Sequence, residues 1–402
     1  MEHFSVVQSL IRAGLSGDQT AFRKQVSRLR ARFLKDGDNK SVSTIDRLLK
    51  NAAEIKSLQP SEVEISRALI SGETLTRETN SPIDRETGAR LCEISFPGDS
   101  VDTTPVYDEI VGHTIDGLLA EWRSASNLKK LGVEPTRSLL IFGPPGSGKT
   151  QTAYHIAERL RLPLVVARID GLISSFLGTT ARNIANLFDF ANRYQCVLLL
   201  DEFDAIAKLR DDPQEVGEIK RVVNTLLQNL DSRRNFGITI AITNHDRLLD
   251  PAVWRRFETQ LHISEPGGQA REQIIKRFLA PIKSDDGLIQ LMSYCLNGRT
   301  GADIQRLCDS IKRTMAVEQL KNNPAGVFTA FAMVATRLPA HQSEQMINLS
   351  KDIDVFIAHA ANDPELELTQ SDLGRITGRD QSVVSRLKKQ VHSNYEKGVI
   401  NA

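Results

Sequence analysis

Eight consecutive residues, Gly143-Pro144-Pro145-Gly146-Ser147-Gly148-Lys149-Thr150, fit the pattern G-x-x-x-x-G-K-[ST]. They follow a strand-like run, Leu139-Leu140-Ile141-Phe142, and precede an amphipathic stretch over 149–160. A glycine-rich turn set between a strand and a helix leaves few architectures open. The glycines let backbone N–H groups turn inward around phosphate oxygens with no Cβ in the way. The helix N-terminus adds partial positive charge. Lys149 is expected to reach the β- and γ-phosphates and Thr150 to ligate Mg²⁺, so all eight residues are expected at a nucleotide site.

Downstream, Leu198-Leu199-Leu200 runs directly into Asp201-Glu202. An apolar strand ending in two acids puts carboxylates at the tip of a sheet. Asp201 is expected to hold Mg²⁺, directly or through water, and Glu202 to orient and polarise the attacking water. Another strand-like run, Ile238–Thr243, ends at Asn244, an amide suited to holding that water or reporting hydrolysis. Arg255 and Arg256 follow Leu249-Asp250-Pro251-Ala252-Val253-Trp254. An arginine at a neighbouring γ-phosphate stabilises transition-state charge, worth roughly 10³–10⁵ in rate where it acts as a finger.

The texture around these motifs is βαβ. Short apolar runs at Ser138–Phe142, Leu164–Ile169, Cys196–Leu200, Gly237–Thr243 and Gln260–Ile263 alternate with amphipathic stretches at 149–160, 179–193 and 217–230. That alternation predicts an α/β fold with a parallel, doubly wound sheet over 106–265. Residues 1–70 read as a helical domain. Asp18 is a plausible N-cap there, Phe22, Val26, Leu29 and Phe33 share one helix face, and further helices are expected after Ser41 and Pro60. The stretch 21–50 carries nine Lys and Arg against three Asp, which suits a solvated helix face or an anionic partner. Residues 71–105, rich in Ser, Thr, Gly and Pro, read as a linker with a short strand near Leu91–Phe96. Residues 266–335 are helical, and 345–402 form a separate charged helical segment.

Composition sets the outer bounds. A chain of 402 residues with 40% hydrophobic and 25% charged residues is ordinary for a soluble globular protein. The net charge of +1 excludes a polycationic DNA-coating protein or an acidic disordered chain. At 5% aromatic, the chain is poor in stacking platforms for single strands. No apolar run reaches the ~20 residues that a membrane span needs, and Met1–Leu10 does not read as a secretory signal. Cys92, Cys196, Cys295 and Cys308 form no CxxC pair, so neither a zinc site nor a disulfide framework is expected. A cytoplasmic location fits.

In this order the motifs resemble the AAA family of ATPases. Gly143–Thr150 looks like Walker A, Leu198–Glu202 like Walker B, and Thr243-Asn244 like sensor 1. Leu249–Phe257 looks like the second region of homology with its arginine fingers, and Gly301-Ala302-Asp303 like the start of the lid motif over the adenine base. The resemblance covers about 106–335. It implies ATP and Mg²⁺ as ligands, a five-stranded P-loop NTPase sheet (the AAA core) with a helical lid, and a homo-oligomeric ring, usually a hexamer, with ATP between subunits. Trp254-Arg255-Arg256-Phe257-Glu258 stands where many members have Arg-Pro-Gly-Arg-Phe-Asp, which leaves open which arginine is the finger; both Arg255 and Arg256 are expected to contact the neighbouring nucleotide. No sensor-2 arginine is evident after Gly301. In protein-threading members an aromatic-aliphatic-Gly loop lines the central pore. Phe176, Leu177 and Gly178 occupy that place here, and polar Lys208–Gly217 lies where a second pore loop would.

The C-terminal segment reads as a helix-turn-helix. Leu373, Val384 and Leu387 are the packing positions, Gly374 is the small residue where the helices approach, and Gly378 is at the turn. Arg379, Gln381, Ser382, Ser385 and Arg386 are placed to face a major groove, with Lys388 and Lys389 near phosphate. Helical hairpins of this type also serve protein-binding modules. Two functions follow. The first is an Mg²⁺-dependent AAA ATPase that remodels or unfolds a protein through a pore, with a partner effector. The second is a DNA-associated ATPase in defence, mobile-element or regulatory work, holding duplex DNA by its C-terminal helices.

Overall fold

The computed structural model describes residues 26–30, 32–34, 36, 42–43, 72–99, 104–173, 177–207, 216–282, 284–337, 344–364, 366 and 368–396. The chain divides into two compact units, Met1–Arg67 and Ala68–Ala402. In the first, 26–30, 32–34 and 42–43 are helical, Val26, Leu29 and Phe33 are half-buried, and Val42 is buried. The Asp18 cap, Phe22 and the expected helix after Pro60 lie outside the described residues.

The second unit is built on a six-stranded sheet. The strands are β1 (Cys92–Ser95), β2 (Ser138–Phe142), β3 (Leu164–Ala167), β4 (Val197–Leu200), β5 (Thr239–Thr243) and β6 (Thr259–His262), in spatial order β1-β3-β4-β5-β2-β6. Five are parallel, with Leu198 opposite Thr239 and Leu139 opposite both Ile240 and Thr259. The sixth, β1, pairs antiparallel to β3, from Cys92 opposite Ala167 to Ser95 opposite Leu164. The sheet therefore exceeds the expected five strands by one antiparallel edge strand. That strand is the short one expected near Leu91–Phe96, in the stretch otherwise read as a linker.

Alternation along each strand sorts its side chains onto two faces. Leu139, Ile141, Val197, Leu199, Ile240 and Ile242 pack with Ile115, Leu119 and Trp122 of α1 (Glu109–Arg123) and Ala153 and Ile156 of α3 (Lys149–Leu160). A short helix α2 (Ala125–Lys130) follows α1. Leu140, Leu198, Leu200 and Ala241 face Leu187 and Phe188 of α5 (Leu177–Arg193) and Val223 and Leu226 of α7 (Val216–Arg233). Burial on both faces is what parallel strands require, and it makes β4 and β5 continuous apolar runs. Short helices α4 (Ile169–Leu172), α6 (Asp204–Ala207) and α8 (Pro251–Trp254) close the loops at strand ends.

A third core is wholly helical. It joins α9 (Gly268–Leu279), α10 (Asp286–Cys295), α11 (Gly301–Val317), α12 (Pro324–Ala335), α13 (Glu344–Lys351), α14 (Ile353–Ala360), α15 (Gln370–Thr377) and α16 (Gln381–Glu396). Thr300–Asp303 and Thr369–Asp372 form reciprocal capping boxes that start α11 and α15. Phe356, Leu373, Ile376, Val384 and Leu387 share one cluster with Met292, Ile304, Phe328 and Phe331. The segments delimited as 266–335 and 345–402 thus bury their apolar faces against each other. α15 and α16 are joined through Gly378, which is left-handed at φ +70°. A Cβ on Gly374 would lie 2.7 Å from the Arg379 carbonyl oxygen, so the close approach there requires glycine.

Candidate nucleotide site

The glycine turn sits at the carboxyl end of β2, the crevice where open α/β sheets place ligands. Gly143, at φ +145°, lies so close to the strand-β6 exit that a Cβ would be 2.0 Å from the Ile263 carbonyl oxygen. Gly146 packs equally tightly against the start of α11. A Cβ there would meet both the Thr300 hydroxyl and the Ala302 methyl at 2.9 Å, and Ala302 N–H donates to the Gly146 carbonyl at 3.1 Å. These two contacts join the turn to the sheet on one side and to the helical body on the other.

Lys149 opens α3 and is nearly fully buried; its Nζ donates to the carbonyls of Gly143 (2.9 Å) and Pro144 (2.6 Å). Burial lowers the Lys149 pKa, while the nearby Asp201 and Asp204 carboxylates act the other way. Thr150 donates its hydroxyl proton to Asp201 Oδ2 at 2.8 Å. The hydroxyl of the first motif and the first acid of the second therefore stand in hydrogen-bond contact across the tip of the sheet. Glu202 follows with an exposed side chain and a left-handed backbone, φ +50°. That conformation is strained for a non-glycine residue. Its N–H donates to Asp201 Oδ1 at 2.9 Å, and the next N–H, of Phe203, donates to Ile242 O at 2.8 Å. β4 is thereby locked to β5 beside Asn244.

One cleft of about 460 Å³ collects these groups. Pro145 to Thr150, Asp201, Glu202, Asn244, Gly301 and Ala302 all line it. Gly143 and Pro144 do not line it, but their carbonyls hold the lysine. The residues fit a nucleotide with its metal. The Ser147 hydroxyl is buried with no hydrogen-bond partner, the glycine turn offers N–H groups, and Thr150 and Asp201 supply hard oxygen donors of the kind Mg²⁺ takes. The cleft is also lined by the apolar side chains of Val106, Ile274 and Phe278, and by Arg277, which donates to the Thr104 carbonyl. The motifs did not point to these residues. Ile274 and Phe278 lie four apart on α9, a spacing that puts them on one face. That spacing was the available signal, and it does not distinguish a cleft-facing residue from a core residue.

Arg255 and Arg256 do not line the cleft of their own chain. Their loop is fixed from both sides: Trp254 packs edge-on against Phe142 at 5.2 Å, and Glu258 accepts the N–H groups of Arg137 (2.6 Å) and Ser138 (3.2 Å). The two guanidinium groups differ. Arg256 is engaged within its own domain, donating to the Ala252 carbonyl at 3.1 Å and pairing with Asp231 at 3.4 Å. Arg255 is exposed, and its guanidinium has no partner among the described residues.

Phe176 lies outside the described residues, as does most of Lys208–Gly217. Leu177 and Gly178 open α5, with Gly178 exposed. In the C-terminal pair, Gln381, Ser382 and Arg386 are exposed and Ser385 is half-buried. Arg379 pairs with Asp354 at 2.9 Å.

Residues 139–265 match the family described as "ATPase family associated with various cellular activities (AAA)". The chain is 41% identical over 211 residues to "Uncharacterized AAA family ATPase y4kL" of Sinorhizobium fredii, covering 51% of this chain and 62% of that protein. It is 30% identical over 189 residues to "Proteasome-activating nucleotidase" of Methanothermobacter thermautotrophicus, covering 45% of this chain and 46% of that protein. It thus spans about half to three-fifths of the length of these relatives. Among solved structures, the crystal structure of the FIGL-1 AAA domain superposes with a TM-score of 0.50 at 20% identity, over 63% of this chain and 89% of that one. Among the described residues, no helix is long and apolar enough to cross a membrane. Over residues 139–265 the chain is thus similar in sequence to AAA family ATPases, and its fold is that of the FIGL-1 AAA domain.

Proposed function

We propose that the protein hydrolyses ATP with Mg²⁺ in the cleft between β2, β4 and α11, and uses the turnover to remodel a protein substrate. The observation that carries the reading is the meeting in one cleft of the glycine turn, Asp201, Glu202, Asn244 and the start of α11. Lys149 and the glycine-turn N–H groups hold the phosphates, and Val106, Ile274 and Phe278 take the base. Thr150 and Asp201 hold Mg²⁺, which when bound neutralises phosphate charge. Glu202 polarises a water with Asn244 as its second anchor, and the water oxygen bonds to the γ-phosphorus as the β–γ bridging bond breaks, giving ADP and phosphate. Arg255 reaches the nucleotide of a neighbouring copy, which supports a homo-oligomeric ring such as a hexamer. Arg256 positions the loop. The substrate is a polypeptide gripped at Phe176, Leu177 and Gly178. The relative named as a proteasome-activating nucleotidase supports a partner effector that receives the processed protein.

The test is ATP turnover with and without casein, a natively unfolded protein. Casein stimulates the wild type, and Phe176→Ala abolishes stimulation while sparing basal turnover. Stimulation surviving in Phe176→Ala contradicts threading at this loop.

A second reading, a DNA-associated ATPase, is favoured by the left-handed Gly378 turn and the close approach at Gly374, which support a helix-turn-helix. Gln381, Ser382, Ser385 and Arg386 would face the groove, with Arg379 drawn from its Asp354 pair. Duplex binding that weakens steeply with salt and is lost in an Arg379→Ala/Arg386→Ala double variant supports it. Salt-insensitive or absent binding contradicts it.

A further inference from the structure

The segment 72–95, which leads from the first unit to the sheet, fastens to both ends of α5. At the C-terminal end of the helix, Glu73 N–H donates to the Arg193 carbonyl and Gln195 N–H donates to the Glu73 carbonyl, both at 2.8 Å. Glu73 also pairs with Arg193 at 3.3 Å. Gly72 sits so close to that helix end that a Cβ would lie 2.5 Å from the Arg193 carbonyl oxygen. At the N-terminal end, the Glu86 carboxylate accepts from Thr179 Oγ1 at 3.0 Å and from Arg182 at 3.1 Å. The turn that presents Glu86 is itself built. Asp84 is buried, and its carboxylate accepts Glu86 N–H at 3.1 Å and the Thr87 hydroxyl at 2.8 Å. The chain then passes against α4, where a Cβ on Gly171 would lie 2.4 Å from the Arg90 carbonyl oxygen, and enters β1.

We infer that residues 72–95 are a strap that sets the position of α5, and that Glu86 is its positioning residue for substrate engagement at the start of that helix. The inference rests on the reading that Phe176–Gly178 grips polypeptide. A free linker needs no glycine pressed against a helix end and no buried aspartate shaping a turn. This segment has both, and it runs from close after Arg67, the last residue of the first unit, to the helix that carries Gly178. Glu86 touches no cleft residue, so its loss should spare basal turnover.

The experiment uses the full chain and compares Glu86→Ala, Glu86→Gln and Arg182→Ala with Phe176→Ala and wild type. Amide hydrogen exchange over the first two turns of α5 and the casein dependence of ATP turnover are read together. In Glu86→Ala and Arg182→Ala, exchange there should rise threefold or more, and the KM for casein should rise threefold or more at unchanged basal kcat. Glu86→Gln keeps an acceptor for Thr179 and should restore most of both. Unchanged exchange overturns the strap, and raised exchange with an unchanged casein KM overturns its positioning role. If casein stimulates neither wild type nor Phe176→Ala, the threading reading has failed. The inference then falls with it, and the exchange data show separately whether the clamp on α5 exists.

Discussion

Leu373→Ala is the perturbation whose cost the structure sets most tightly. Leu373 is fully buried in the helical core, between Ile376 of its own helix and residues of α10, α12 and α16. α15 cannot slide inward to fill the space. Its backbone already touches the turn at Gly374, its N-terminus is fixed by the Thr369–Asp372 box, and Arg375 holds Asp285 at the start of α10. A Leu→Ala cavity costs about 2–5 kcal/mol, more where the site cannot collapse, so the upper half of that range is expected. At ~2–4 °C per kcal/mol, that lowers Tm by roughly 7–20 °C. The loss should extend to the nucleotide cleft, because Ile274 and Phe278 of α9 and Gly301 and Ala302 of α11 line it and belong to the same body. Thermal unfolding with and without ATP, combined with hydrogen exchange over α9–α11 and α15–α16, reads both effects. The variant should expose both regions together, with weaker ATP binding. A loss below about 1 kcal/mol, or an α15–α16 that unfolds by itself while α9–α11 stays protected, would refute the shared core.

Three further outcomes follow from the site. Gly143→Ala forces a side chain into a left-handed backbone and against the Ile263 carbonyl, at a cost of at least about 1–2 kcal/mol, and equilibrium binding should show nucleotide affinity lost with a lowered Tm. Burial lowers the Lys149 pKa, whereas phosphates favour the charged form, so above that lowered pKa binding must take up a proton. ATP affinity should accordingly fall with rising pH before the ordinary lysine pKa of about 10.4 is reached, and a flat alkaline limb in a binding titration would contradict this. Arg255→Ala should lower turnover by ~10³ or more with binding nearly intact, whereas Arg256→Ala should lower Tm through its lost Asp231 and Ala252 contacts. Mixing Arg255→Ala with Lys149→Ala chains should restore part of the activity if the arginine acts across copies.

The parallel strands β2, β3, β4 and β5 were legible because they are buried on both faces, so an apolar run marks each regardless of what covers it, whereas edge strand β6 buries only Leu261. The motif residues were legible because phosphate and metal chemistry demands fixed residue types at fixed strand ends. β1 was harder. Its four residues, Cys-Glu-Ile-Ser, form a partly exposed edge, and only the pairing to β3 makes them a strand. The union of 266–335 with the C-terminal helices was not legible, because apolar faces on Leu373 and Phe331 announce burial without naming the partner. Arg379 shows the same limit for charge. In sequence it is an available cation, and in the fold it pairs with Asp354. Ile274 and Phe278, which line the cleft, have the same spacing as any amphipathic helix.

The central claim is that Glu202 activates water in a cleft whose binding groups do not depend on it. ATP binding and ATP turnover measured side by side for wild type and Glu202→Gln test it most directly. Glu202→Gln keeps the chain length and the backbone and removes the base. Binding should stay within a few-fold of wild type while turnover falls by about 10²–10⁴. Turnover retained in Glu202→Gln, or a wild type that binds ATP with Mg²⁺ and never releases phosphate, would contradict the account.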